Sequence, residues 1–120
     1  HRPHPAMAHK IGVAISTTGA MGARTVTKAL KTHFFGWGAA KYYRLSFAVM
    51  ATKWDDVPEK TKRKIQRAVK STATKVVRQS GKASRSLYLR LILGVMKIVQ
   101  KNNNWFPLDK AWWREQGWIR

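Results

Sequence analysis

The chain predicts an all-α fold, a small irregular bundle of about three to five helices with an extended N-terminal arm and a tryptophan-rich C-terminal tail. Three observations carry that prediction. Residues 57–80 read as a strongly basic helix, with clear start and stop signals at either end. Residues 87–99 are almost entirely apolar. Residues 38–54 place Tyr42, Leu45 and Val49, and beside them Tyr43, Phe47 and Met50, at helical spacings. Helices are therefore expected near 24–35, 38–54, 57–80 and 86–101, within a domain spanning 11–104 between an arm (1–10) and a docking tail (105–120).

The arm, HRPHPAMAH, contains two prolines and three histidines and reads as extended chain. His1, His4 and His9 have no nearby Cys, Asp or Glu to complete a metal shell, so the arm is expected to be a solvated or partner-draped tail. Residues 11–32 are small, β-branched and interrupted by glycine, which suggests a loop or a closely packed helix. Gly19-Ala20-Met21-Gly22 has the GXXG form of the loop by which KH modules clamp a nucleic-acid backbone, but no compact β-α-α-β pattern surrounds it. No GK[ST] follows, so there is no phosphate loop. From 24 to 35, Val26, Leu30 and Phe34, with His33 beside them, form the inward side of the first helix.

The basic helix has an expected capping box, Asp56 with Glu59 three residues on, and Pro58 in the first turn. Gly81 closes it in the left-handed conformation. At 100° per residue, Lys60, Arg63, Lys64, Arg67, Lys70, Lys75 and Arg78 share an arc of about 140°. Ile65, Val69, Thr72, Ala73 and Val76 lie opposite, and Lys62 alone departs from the pattern. One face suits a core and the other suits an anion.

Ser84 or Ser86 caps the next helix, which is apolar over about 240° and is expected to be buried on most sides. Its apolar side is expected to support the basic helix. Asn102, Asn103 and Asn104 end it, since Asn tolerates the left-handed conformation. In the tail, Asp109 starts a short helix that stops at Gly117. A helix of two turns is marginal alone, so Trp105, Trp112, Trp113 and Trp118 must hold it, on the core or on a neighbouring protein. Docking on a neighbour is the expectation for Trp113 and Trp118, since adjacent tryptophans point to different sides of a helix.

Charge sets the function class. The chain has 120 residues, enough for one modest domain, and a net charge of +19. A polyanion is the usual way to relieve such self-repulsion. Its first 54 residues hold eight Lys and Arg and no acid, a composition like that of organellar targeting regions. There is no cysteine, hence no disulfide and no thiolate metal site. No apolar run reaches the roughly 18–20 residues of a membrane span. With five carboxylates and no nucleophile or acid–base motif, no catalytic, cofactor-binding or metal-binding residues are expected.

These features predict a non-catalytic structural subunit of a large ribonucleoprotein, most specifically a mitochondrial ribosome. The seven basic-helix cations would meet rRNA phosphates and the tryptophan tail would meet neighbouring proteins. Such a subunit would not act as a free monomer. The competing expectation is a peripheral accessory subunit of a mitochondrial inner-membrane complex, a respiratory complex or ATP synthase, with anionic lipid as the partner. Either places the chain in the matrix or on the matrix face of the inner membrane.

Overall fold

A two-stranded parallel sheet overturns the all-α expectation: the computed structural model, which describes residues 2–120, is 55% helical and 13% strand. In chain order a 3-10 turn (Pro5–His9) precedes β1 (Ile11–Thr18), α1 (Ala23–Gly36), β2 (Lys41–Ala48), α2 (Glu59–Gln79), α3 (Leu87–Asn102) and α4 (Pro107–Glu115). The strands pair in parallel from Ile11↔Lys41 to Thr18↔Ala48. Parallel neighbours need a long crossover, and α1 supplies it.

The helix expected over 38–54 is thus β2 followed by a loop. Tyr43, Leu45 and Phe47 alternate with Tyr42, Arg44 and Ser46, a period of two that puts Leu45 and Phe47 inside. A broad apolar stripe fits either period. The choice is made by β1, a partner far away in sequence. The GXXG segment joins β1 directly to α1, and β2 follows with no second helix, so no β-α-α-β unit forms.

α1 lies close against one face of the sheet because the residues beneath it are small. A Cβ added to Gly12 would stand 2.8 Å from the Phe34 ring, and Ala14 is buried. The inward row of α1 is Ala23, Thr27, Leu30 and Phe34, whereas Val26, expected inside, is 49% exposed. Thr27 is fully buried, yet satisfied: its Oγ1 donates to Arg24 O (3.2 Å) and shares a hydrogen bond with Ser46 Oγ (2.7 Å).

α2 begins without the expected capping box. Pro58 is its N-cap residue, no side chain caps it, and the Pro58 carbonyl accepts from Thr61 N and Lys62 N. Glu59 turns instead to Lys62 Nζ at 3.0 Å. Gly81, at φ +72°, follows the C-cap residue Ser80 in the expected left-handed conformation. α2 buries none of its residues and packs on β2, where Tyr43 OH donates to Gln79 Oε1 (2.8 Å), rather than leaning on α3 as expected.

α3 is capped by Ser86, whose Oγ accepts from Leu89 N. Together with α4 it builds the apolar core: Leu89, Leu93, Trp113 and Ile119, flanked by Phe35, Met96, Trp112 and Trp118. Only one side of α3 is used. Leu87, Tyr88, Leu91, Val95, Ile98 and Val99 are 49–73% exposed, in an arc of about 120°, where burial on most sides was expected. Asn103 ends α3 in an extended conformation, not a left-handed one, and its Oδ1 accepts from Trp105 N and Phe106 N.

The arm folds onto its own chain. Arg2 pairs with Asp109 at 2.8 Å, Pro3 is fully buried, and Trp112 Nε1 donates to Pro3 O at 3.5 Å. Arg85 Nε donates to Gly38 O (2.9 Å) and Nη2 to His4 O (3.1 Å), while its guanidinium lies 5.0 Å from the Trp118 ring centre. Burial lowers the Arg85 pKa from the usual arginine value, but an arginine stays charged at neutral pH. Gly38, at φ +78°, sits where an added Cβ would meet that guanidinium at 3.0 Å.

The radius of gyration is 18.3 Å, against roughly 14 Å for a compact domain of this length. The molecule is open. Truncating its central side chain, Trp113→Ala, is expected to cost about 3–5 kcal/mol in urea unfolding. Trp105→Ala, at an 87% exposed site, should stay within about 0.5 kcal/mol. Equal effects would refute this placement of the core. Arg85→Lys should lower stability by about 2 kcal/mol, because an ammonium cannot span both carbonyls and the indole face.

Candidate nucleic-acid interface

α2 is a 21-residue rod about 32 Å long. Its half-buried row is Thr61, Ile65, Ala68, Thr72, Val76 and Gln79, which turns toward the body at i+3 and i+4 steps. Lys60, Arg63, Lys64, Arg67, Lys70, Lys75 and Arg78 are all exposed on the other side, as the helical period requires. Among the described residues none of the seven forms an ion pair with a carboxylate. The cation outside the arc is the one with a structural role. Lys62 Nζ bonds Glu59 and the Asp55 carbonyl and lies 6.0 Å from the Trp54 ring centre.

Two shallow grooves run along the basic side, one lined by Lys60, Arg63, Lys64, Arg67 and Ala68, the other by Arg67, Lys70, Ser71, Thr74, Lys75 and Arg78. They share Arg67, so the cations form one track along the helix. Such an array suits a line of phosphates. It offers charge and reach without the fixed donor pattern that reads base edges.

A second basic site joins elements that are separate in sequence. A cleft of about 660 Å³ is lined by Arg24, Thr25 and Lys28 of α1 and by Tyr42, Tyr43, Arg44 and Ser46 of β2. The first 54 residues contain no acid, so nothing in the cleft opposes an anion. Tyr43 both lines it and bonds Gln79, which sets the cleft beside the C-terminal end of α2. Arg24, Lys28 and Arg44 carried no signal in the sequence beyond that missing acid. Their juxtaposition needs α1 to pack on β2, and β2 was read as a helix.

The tail distributes its tryptophans differently from expectation. Trp113 is completely buried in this chain's own core and offers no docking surface. Trp118 packs on it at 5.9 Å, with Arg85 and Lys97 each 5.0 Å from its ring centre. Trp112 is half-buried against Pro3 and His4. The apolar environment left by the other large side chains draws these indoles inward, onto the α3–α4 core and the arm. Trp105 alone of the four remains on the surface, 87% exposed beside Phe106 (65%) and Leu108 (74%). Of the arm histidines, His4 Nδ1 accepts from Ala6 N and His9 Nδ1 lies 2.9 Å from Ala83 O, so both serve the fold; His1 lies outside the described residues.

Because the seven α2 cations hold nothing in place, replacing Lys70, Lys75 and Arg78 together with Gln should leave the urea midpoint and far-UV circular dichroism essentially unchanged, within about 0.5 kcal/mol. A clear loss of helix would mean that this face supports the fold. Comparison with family models, with curated proteins and with solved structures found no match to this chain.

Proposed function

We propose that this chain is a non-catalytic structural subunit of a large ribonucleoprotein, a mitochondrial ribosome in its most specific form, and that α2 lies against rRNA phosphates. One observation carries the reading: seven exposed, unpaired cations share one side of a helix that buries none of its residues. A face that serves only for solubility mixes signs, and this one does not. The α1–β2 cleft adds Arg24, Lys28 and Arg44 as a second phosphate contact. The exposed α3 arc and the Trp105–Phe106–Leu108 corner would meet neighbouring proteins, which suits the open shape. The acid-free, basic first 54 residues support a mitochondrial location.

A second reading has its own support. The exposed apolar arc of α3 runs beside Arg90, Lys97 and Lys101, and Trp105 follows, a mixture that suits the headgroup level of an anionic membrane. In that case the chain would be a peripheral subunit of an inner-membrane complex. No helix among the described residues is long and apolar enough to cross a membrane.

Charge reversal decides for α2. The triple variant Arg63→Glu, Arg67→Glu, Lys70→Glu should no longer co-sediment with the RNA-containing particle, and unchanged incorporation would sink the reading. On isolated rRNA fragments, each phosphate contact removed should reduce the slope of log affinity against log salt by about 0.7–0.9. Arg44→Glu should weaken the same binding from the cleft. Nuclease and high salt should release the native protein; release by detergent instead would favour the membrane reading.

A further inference from the structure

β1 is an unfinished edge. Its eight residues, IGVAISTT, carry no charge and no proline. Their ladder runs to β2, extended by Val49 N donating to Thr18 O at 2.9 Å. Among the described residues no backbone hydrogen bond reaches the other edge of β1. Every second residue of a strand directs its N–H and C=O to each edge, so a row of unmet donors and acceptors remains.

Exposed edges are normally blunted by lysine, proline or a bulge. β2 has Lys41 and Arg44; β1 has none of these. Parallel sheets are moreover covered on both faces. Here α1 covers one, and on the other the burial stops halfway: Leu45 and Phe47 of β2 are buried, while Val13 (37%) and Ile15 (61%) of β1 remain in solvent. Ile15 is the register partner of Leu45, so the exposed apolar strip continues the buried one.

We propose that β1 accepts an extended segment of a neighbouring protein as a third strand. The chemistry selects this occupant. A row of alternating N–H and C=O groups is complemented by another extended backbone, and Val13 and Ile15 by apolar side chains at alternate positions of that strand. RNA is a poor fit, since β1 offers no cation to a phosphate. A second copy is opposed by charge, because two chains of +19 would meet through acid-free surroundings. The incoming segment is therefore extended and apolar at every second residue, and acidic residues in it would offset the +19 charge of this chain. The edge stands whichever assembly holds the chain, so this inference does not rest on the RNA reading.

Hydrogen–deuterium exchange tests it, comparing the free protein with the native assembly isolated through a tag on this chain. Amides within 11–18 should exchange about tenfold more slowly in the assembly, and that protection should survive nuclease treatment. Ile15→Lys, at an exposed site, should reduce incorporation at least severalfold, whereas Met21→Lys, in the adjoining turn, should not. Equal exchange in both states overturns the proposal, as does a chain that sediments alone from extract. Protection lost with nuclease assigns the edge to RNA and also overturns it. So does a free-protein dimer abolished by Ile15→Lys, which makes the occupant a second copy.

Discussion

The Arg85 guanidinium ties together the arm, the turn before β2 and the tail. It donates to the carbonyls of Gly38, before β2, and His4, in the arm, and it lies on the Trp118 ring from the tail. No carboxylate takes part. A planar cation with five donors can satisfy two carbonyls in different directions while its face remains against an indole, which an ammonium cannot do. The sheet with α1 and the α3–α4 core are thus joined by polar contacts around one side chain, with Arg2–Asp109 and Trp112–Pro3 beside it, and by Phe35 of α1, which packs against the core.

That economy matters in a chain with so few acids. Glu59 is engaged with Lys62 at the start of α2, and Asp109 holds Arg2. Among the described residues the seven cations along α2 have no carboxylate partner. α2 touches the body along β2 through a half-buried row and has no fully buried residue. An external polyanion would lower the mutual repulsion of these cations.

Much of the helical reading was legible because helix signals are local. The basic arc from Lys60 to Arg78, the Gly81 stop, the Ser86 cap and the apolar run of α3 each lie within a few residues of what produces them. Lys62 stood outside the arc by its angle alone; its bonds to Glu59 and the Asp55 carbonyl came from the structure. The β2 error had a physical origin: KYYRLSFA supports either period, and a parallel strand gains its hydrogen bonds from a segment across a long crossover. The cationic cleft was lost with it, since Arg24 and Arg44 become neighbours only when α1 packs on the sheet.

By itself, then, the sequence determined the sign of the chain's charge and the helix face that carries it, because charge and helical period are properties of single residues and their spacing. Only the tertiary structure decided which apolar groups are spent inside. Trp113 went to the core and Trp105 to the surface, although both sit in the same aromatic tail. The same holds for α3, whose buried row is fixed by where α4 returns and whose opposite arc is left exposed. Burial depends on what the rest of the chain brings alongside, and β1 keeps an open edge for the same reason: the described residues provide one neighbour for it and not two.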